Sequence, residues 1–223
     1  MFKNLLNLFL QSNCPICQRS TSNGICQYCA KKLQSCHLKN PNHLWKQELP
    51  VFSWGSYGGT LKRAIAVMKY ENNPEIGRLL GQYLGESWLL NSTAENQTSV
   101  IVPIPLHTKK LKERGFNQAE LIAKGFCEIT GLQLKSNGLA RIKETKAQFS
   151  VSGSEREQNL TNAFALGSDF SRRHPDAPVL LIDDIYTTGA TAKSAVYTLR
   201  QSRISVLGLA AVATTGKDRS VQS

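Results

Sequence analysis

Two hydrophobic rhythms alternate along the chain. At 51–54, 100–103, 179–183 and 204–213, apolar residues stand in unbroken or nearly unbroken runs of strand length, the pattern of strands covered on both faces. Between these runs, segments 61–70, 74–90, 117–130 and 191–200 repeat their apolar residues every three or four positions, which predicts amphipathic helices. Weaker strand signals lie near 139–142 and 163–166, a turn at Tyr57-Gly58-Gly59, and a polar loop at 91–98. Asn117 with Glu120, and Ser154 with Glu157, have the spacing in which a capping side chain and an acid three residues later satisfy the first turn of a helix reciprocally. Strands alternating with helices define βαβ units, hence an α/β protein with a parallel, doubly covered sheet.

The first 50 residues break this rhythm. Phe2, Leu5, Leu6 and Phe9 follow helical spacing, which predicts a short amphipathic helix, either docked on the protein or in peripheral contact with a membrane. Only Lys3 precedes the apolar stretch, no small-residue cleavage site follows it, and the longest nearly apolar run, 204–213, is about half of what a bilayer span needs. These features favour a cytoplasmic protein, with membrane association through residues 1–10 as the alternative. Four of the six cysteines then form two pairs, Cys14-Pro-Ile-Cys17 and Cys26-Gln-Tyr-Cys29, with eight residues between them. Two such knuckles can place four thiolates around a structural zinc ion, whereas a redox motif explains one pair and disulfides need an oxidising compartment. Cys36 and Cys127 read as lone thiols, although Cys36-His37 offers an alternative ligand. The expected organisation is a helix and a four-cysteine zinc-binding module over 1–37, a proline-containing linker over 38–50, an α/β domain over 51–215 and a frayed tail over 216–223.

Charge narrows the partners. The 223 residues carry 27 Lys and Arg against 16 Asp and Glu, a net charge of +11, with the excess concentrated before residue 50 and between 100 and 150. A basic surface of this kind suits a polyanion, either nucleic acid or a phosphorylated metabolite.

The most informative segment is Val179-Leu180-Leu181-Ile182-Asp183-Asp184-Ile185-Tyr186-Thr187-Thr188-Gly189-Ala190-Thr191. Four aliphatics make a central strand, two acids sit at its carboxyl end where open α/β sheets bind ligands, and a small-residue loop leads into a helix whose N–H groups can cradle a phosphate. Adjacent acids beside such a cradle suit ribose hydroxyls and a hydrated Mg²⁺.

This segment resembles the phosphoribosyl-diphosphate motif of type I phosphoribosyltransferases. Val102-Pro103-Ile104-Pro105-Leu106-His107 followed by Arg114-Gly115-Phe116-Asn117-Gln118-Ala119, together with Tyr57-Gly58-Gly59, Lys69-Tyr70, Arg141, Thr145, Gln148, Arg156, Asn159 and Ala163-Phe164, resembles the ComF competence-associated family, phosphoribosyltransferase-like proteins with an N-terminal cysteine ribbon. The resemblance implies a type I phosphoribosyltransferase fold, with Thr187, Thr188, Gly189, Ala190 and Thr191 on the ribose phosphate and Asp183 and Asp184 on the sugar. It further implies that Ile104, Pro105 and Leu106 form the diphosphate loop, where a restrained or cis peptide can aim N–H groups at the ligand. Arg114 is implied at the leaving group, and 145–157, carrying Lys146 and Gln148, as a hood that closes over the site. Lys109, Lys110 and Lys112 stand where arginines are usual in the family, keeping the charge but losing the bidentate fork. No residue of the hood identifies an acceptor; Phe149 can stack on a ring or pack. Two activities follow as expectations: Mg²⁺-dependent transfer of phosphoribose to a nitrogen acceptor, or a non-catalytic factor binding single-stranded DNA and its processing proteins during transformation, with Tyr28, Trp45 and Trp54 able to stack on bases.

Overall fold

A computed structural model of the chain describes residues 12–22, 24–93, 98–143 and 163–216. The expected N-terminal helix, the Ser154–Glu157 signature, Lys146, Gln148, Phe149 and the end of the tail lie outside them. Eight strands and seven helices are present among the described residues. In chain order they are β1 (Ser12–Asn13), β2 (Ser20–Thr21), α1 (Gln27–Gln34), β3 (Val51–Ser56), α2 (Gly59–Tyr70), α3 (Glu75–Asn91), β4 (Val100–Pro103), α4 (Thr108–Arg114) and α5 (Gln118–Thr130). There follow β5 (Leu139–Arg141), β6 (Phe164–Leu166), α6 (Ser168–Ser171), β7 (Val179–Tyr186), α7 (Ala190–Gln201) and β8 (Val206–Thr214).

The main sheet is parallel, with strand order β3-β8-β7-β4. Its strands read as continuous apolar runs because both faces are covered. Leu180, Ile182, Ala210 and Val212 pack with Leu80, Leu84 and Trp88 of α3 and Ile122 and Phe126 of α5. On the opposite face, Val179, Leu181, Leu209 and Ala211 pack with Ala192, Ala195 and Leu199 of α7. Each large aliphatic side chain so withdrawn from water contributes about 1.5–3 kcal/mol, so β7, central and buried on both sides, anchors the domain.

The strand signals at 139–142 and 163–166 require a correction. They do not join the parallel sheet but form a separate antiparallel pair, with Leu139 opposite Leu166 and Arg141 opposite Phe164. The position beside β4 is already taken: the Gln133 carbonyl accepts from the Ile101 N–H at 2.8 Å and the Lys135 N–H donates to the Ile101 carbonyl at 2.8 Å. Two other boundaries shift. β7 runs three residues past Asp183, so both acids lie within the strand. α7 begins at Ala190, which puts Ala190 and Thr191 in its first turn. Helices α1, α4 and α6, absent from the sequence expectation, are only eight, seven and four residues long, shorter than the roughly 11–18 residues over which a helical repeat of apolar positions stands out. At Asn117 the expected cap forms, its side chain accepting from the Ala119 N–H at 3.2 Å. The return bond does not: the Glu120 carboxylate instead pairs with Lys124 at 2.8 Å.

The cysteine module is fastened to this sheet. Cys14, Ile16, Cys29 and Leu33 belong to the same buried cluster as Phe52, Trp54 and Leu61. Residues 36–38 lie antiparallel to β3, the Leu38 N–H donating to Trp54 O at 2.9 Å and the Ser56 N–H to Cys36 O at 3.0 Å, which covers a sheet edge that would otherwise be open. The stretch 38–50 is anchored at several points, with Leu38, Pro41 and Leu49 buried and the Ser53 N–H donating to Pro41 O. Trp54 is part of this core, stacked on Tyr83 at 5.5 Å, and Trp45 packs edge-on against Trp88. Of the three aromatics considered for base stacking only Tyr28 is exposed, and Arg19 lies 4.5 Å from its ring centre.

Helices α3 and α5 approach closely through glycines. A Cβ on Gly81 would lie 2.0 Å from the carbonyl oxygen of Ile122, and one on Gly125 would lie 2.0 Å from that of Arg78. Because the obstructing atoms are backbone, neither helix can yield by rotating a side chain. Gly125→Ala is therefore expected to destabilise the protein by about 1–3 kcal/mol or more, read as a lower denaturant midpoint in chemical unfolding.

Candidate functional site

In a parallel sheet all carboxyl ends lie on one edge, and among the described residues Asp183, Asp184, Ile104 and the loop to Gly189 lie there. Asp183 pairs in register with Ala211, and Tyr186 with Thr214. After Thr187 and Thr188, which are exposed, Gly189 turns the chain with φ of +75°. Any other residue would be strained there, and a Cβ would meet the Tyr186 ring at 2.8 Å. α7 then starts without a side-chain cap. The Ala190 N–H reaches only Thr188 Oγ1, at 3.4 Å, and the first helical bond from this end is that of Lys193 to Gly189 O. A helix start of this kind presents backbone donors to an anion.

The segment after β4 is drawn to the same edge. The Ile104 N–H donates to Ile182 O at 2.9 Å, which sets Ile104 beside the residue preceding Asp183. Asn117 Nδ2 in turn donates to Ile104 O at 3.1 Å while its Oδ1 caps α5. Pro105 and Leu106 follow, partly buried, and no cis peptide occurs among the described residues. His107 is a helix cap, its Nδ1 accepting from the Lys109 N–H at 3.4 Å. Arg114 ends α4; its guanidinium bonds the side chain of buried Gln118 and lies 5.6 Å from the centre of the Tyr70 ring.

Two cations that the sequence reading did not assign flank the acids. Lys69, in the last turn of α2, forms an ion pair with Asp184, and both side chains are largely buried. Arg141, at the end of β5, lies 5.5 Å from the Phe164 ring centre and interacts electrostatically with Asp183. Burial lowers the pKa of its guanidinium and Asp183 raises it. Burial and the neighbouring Asp184 push the Asp183 carboxyl up to about 8, against the Asp184 N–H, Lys69 and Arg141, which pull it down. Lys69 was visible only as part of a Lys-Tyr dipeptide, and nothing in linear spacing ties it to an acid 115 positions later.

The cysteines form a second cluster. The ribbon turns at a first knuckle, where Cys14 donates its N–H to Arg19 O and its carbonyl accepts from the Gln18 N–H, both at 2.7 Å. Cys26 caps α1, its Sγ accepting from the Cys29 N–H at 3.5 Å. The sulfurs of Cys14, Cys17, Cys26 and Cys29 all lie within 4.8 Å of one another, a donor set that fits tetrahedral zinc. Burial raises the Cys14 thiol, but backbone N–H groups of Cys26, Cys17 and Ile16 bring it down to about 7. Burial and the other three thiols push Cys29 upward. Four thiolates cannot share this space without a cation. Cys36 and His37 stand apart from it, bonded to Lys32 O and Ser87 Oγ. Among the described residues no helix is long and apolar enough to cross a membrane.

A parallel sheet flanked by helices, with an acid pair and an uncapped helix at its carboxyl edge, is the α/β architecture expected from the phosphoribosyltransferase resemblance, and in front of it stand four cysteines placed so that they could hold a metal ion. No protein-family model matches the chain. It is 30% identical to competence protein F of Haemophilus influenzae over 219 residues, covering 92% of this chain and 93% of that protein. The chain belongs to the competence protein F family. It is also similar to DNA utilization protein YhgH of Escherichia coli (28% identity; 80% of this chain, 79% of the relative) and to competence protein ComFC of Bacillus subtilis (25%; 80% and 67%). Among solved structures it is similar to adenine phosphoribosyltransferase of Leishmania tarentolae, with 15% identity, 67% of this chain and 62% of that chain covered, and a TM-score of 0.41.

The titration of Asp183 gives a stability signature. An unfolded aspartate titrates near 3.9, so between about pH 4 and 8 the folded chain holds more proton on Asp183 than the unfolded chain. Its contribution to stability therefore falls as pH rises through that window. Thermal unfolding followed from pH 5 to 8 should show this decline in the ligand-free protein and a flatter profile in Asp183→Asn.

Proposed function

We propose that the protein binds phosphoribosyl diphosphate at the carboxyl edge of the sheet, transfers phosphoribose to a nitrogen nucleophile, and serves the handling of DNA during competence. The observation that carries the reading is the direct succession of acid pair, left-handed Gly189 and uncapped α7. The 5-phosphate is assigned to the N–H groups and hydroxyls of Thr187, Thr188, Gly189, Ala190 and Thr191, and the ribose hydroxyls to the acid pair of Asp183 and Asp184. The diphosphate is assigned to the segment Ile104, Pro105 and Leu106, with Arg114, which spends one of its donors on Gln118 and retains others. Lys146, assigned to the site by the family resemblance, lies outside the described residues.

In the transfer, the bond from the anomeric carbon to the diphosphate oxygen breaks with its electron pair leaving on diphosphate. The nitrogen nucleophile forms the new bond and gives up a proton. Positive charge on the sugar and negative charge on the leaving group both grow, so fixed donors near the diphosphate lower the barrier. Mg²⁺ fits this edge because two adjacent carboxylates, Asp183 and Asp184, stand together near the end of β7 and raise one another's cost of ionisation, which a bound cation relieves. The ion would be held there with the ligand and would neutralise the diphosphate. The role in DNA handling rests on the relatives named for competence and DNA utilization, and the net charge of +11 suits such a setting.

Calorimetric titration of phosphoribosyl diphosphate, with and without Mg²⁺, tests the site. Mg²⁺-dependent binding that disappears in an Asp183→Asn, Asp184→Asn double variant is expected. A folded, zinc-loaded protein that binds nothing would overturn the reading and favour a non-catalytic DNA-binding role.

Zinc is assigned to Cys14, Cys17, Cys26 and Cys29, where it supplies structural cross-linking of the ribbon. Native mass spectrometry should find one zinc per chain, lost on Cys14→Ser with Cys17→Ser. Because Cys14 and Cys29 are buried in the cluster that also holds Trp54 and Leu61, the loss should also lower the thermal midpoint of the whole protein.

A further inference from the structure

A groove of about 550 Å³ runs between the cysteine ribbon and α3. Pro15 and Ile25 line it on the ribbon side, and Leu79 and Gln82 on the helix side, together with buried Ile76. Ser12, where the described residues begin, stands at the same groove, so residues 1–11 join the rest of the chain there. The groove continues as a stripe along α3. Glu75, Leu79, Gln82, Glu86 and Leu90 follow one another at intervals of four, three, four and four residues, which puts them on one face of the helix. That face is turned away from the sheet, against which Leu80, Leu84 and Trp88 pack. Leu90, at its far end, is the most exposed large apolar side chain among the described residues, at 84%. In residues 1–11, Phe2, Leu5, Leu6 and Phe9 share one face at helical spacing, and Lys3, Asn4, Asn7 and Gln11 share the opposite one.

We infer that residues 2–10 form a helical strap laid along α3, with their apolar face on the groove and on Leu90. Three observations select this occupant. The segment joins the described chain at the groove itself. Its length fits, since nine helical residues rise about 14 Å, against about 16 Å from Leu79 to Leu90 on the same pitch. Its charge fits as well. The stripe carries Glu75 and Glu86, the neighbouring Arg78 is engaged by Glu128 at 2.8 Å, and the one charged side chain of the segment is Lys3. A helix that lies in a membrane surface presents a polar face rich in Lys and Arg, whereas this one is mostly amide. The strap fastens the ribbon to α3 from outside, and it stands independently of the ribose-phosphate reading and of the metal.

Side-chain footprinting and a mutant cycle test the strap in the full, zinc-loaded chain. Hydroxyl radicals should label Leu79 and Leu90 several-fold less in the parent than in a Leu5→Asp, Phe9→Asp variant. Equal labelling would overturn the proposal. In the cycle, Leu90→Glu should lower the thermal midpoint of the parent by about 2–4 °C, because a charge then faces the apolar side of the strap. In the Leu5→Asp, Phe9→Asp background the same substitution should leave the midpoint unchanged, as it does at an open surface. The same shift in both backgrounds, or none in either, would overturn the coupling. Other occupants separate in the same material. Protection of Leu90 that grows with protein concentration would overturn the strap in favour of a second copy of the chain. The parent should stay off vesicles of phosphatidylethanolamine and phosphatidylglycerol in flotation. Binding to them that is lost in Leu5→Asp, Phe9→Asp would overturn the strap in favour of a membrane contact. Should that variant fail to fold, deletion of residues 2–10 takes its place in every comparison.

Discussion

Burial of β7 on both faces is the constraint on which the rest of the structure depends. Four aliphatics inserted between α3 and α5 on one side and α7 on the other leave the strand no freedom to slip, because a one-residue shift would exchange its faces. The same register carries two carboxylates to the edge of the sheet, where a largely buried lysine pairs with one and acts on both. Hydrophobic packing thus sets the electrostatics of the site, and the site inherits its rigidity from the core.

The ribbon is coupled to the same constraint. Its cysteine cluster shares a core with β3 and α2, and residues 36–38 close the edge of β3. α2 in turn ends at Lys69 and Tyr70, which reach Asp184 and Arg114. A continuous path of packed residues therefore connects the module to the acid pair. Glycines permit the closest contacts along the other flank, where Gly81 and Gly125 allow α3 and α5 to meet backbone to backbone, bringing Asn117 and Gln118 at the start of α5 to the segment after β4.

Much of this was legible in linear form because it is encoded by short-range pattern. The aliphatic run at 179–182, the two acids, the small-residue loop and the following helix are contiguous, so their order alone specifies a strand, an edge and a turn. The two cysteine pairs likewise carry their geometry in their spacing. Expectation and structure diverge where a choice depended on competition between distant segments. Segments 139–142 and 163–166 have strand character, yet they pair with each other because 133–135 already lies against β4. Glu120 has the spacing for a capping box, yet Lys124 one turn away takes its carboxylate. Trp54 looks as able to stack on a base as to pack, and its burial against Tyr83 decides for packing.

The sequence by itself determined the class of the fold, the cysteine ribbon and the identity of the acid pair, because each is written in residues a few positions apart whose spacing matches a local geometry. Only the tertiary structure decided which cations serve the two acids. Lys69 and Arg141 lie 115 and 42 positions from the acids they face, and no periodicity spans such distances. Lys69 reaches Asp184 because the packing of α2 on the sheet brings its last turn to the end of the central strand, and Arg141 acts electrostatically on Asp183 from the separate β5–β6 pair.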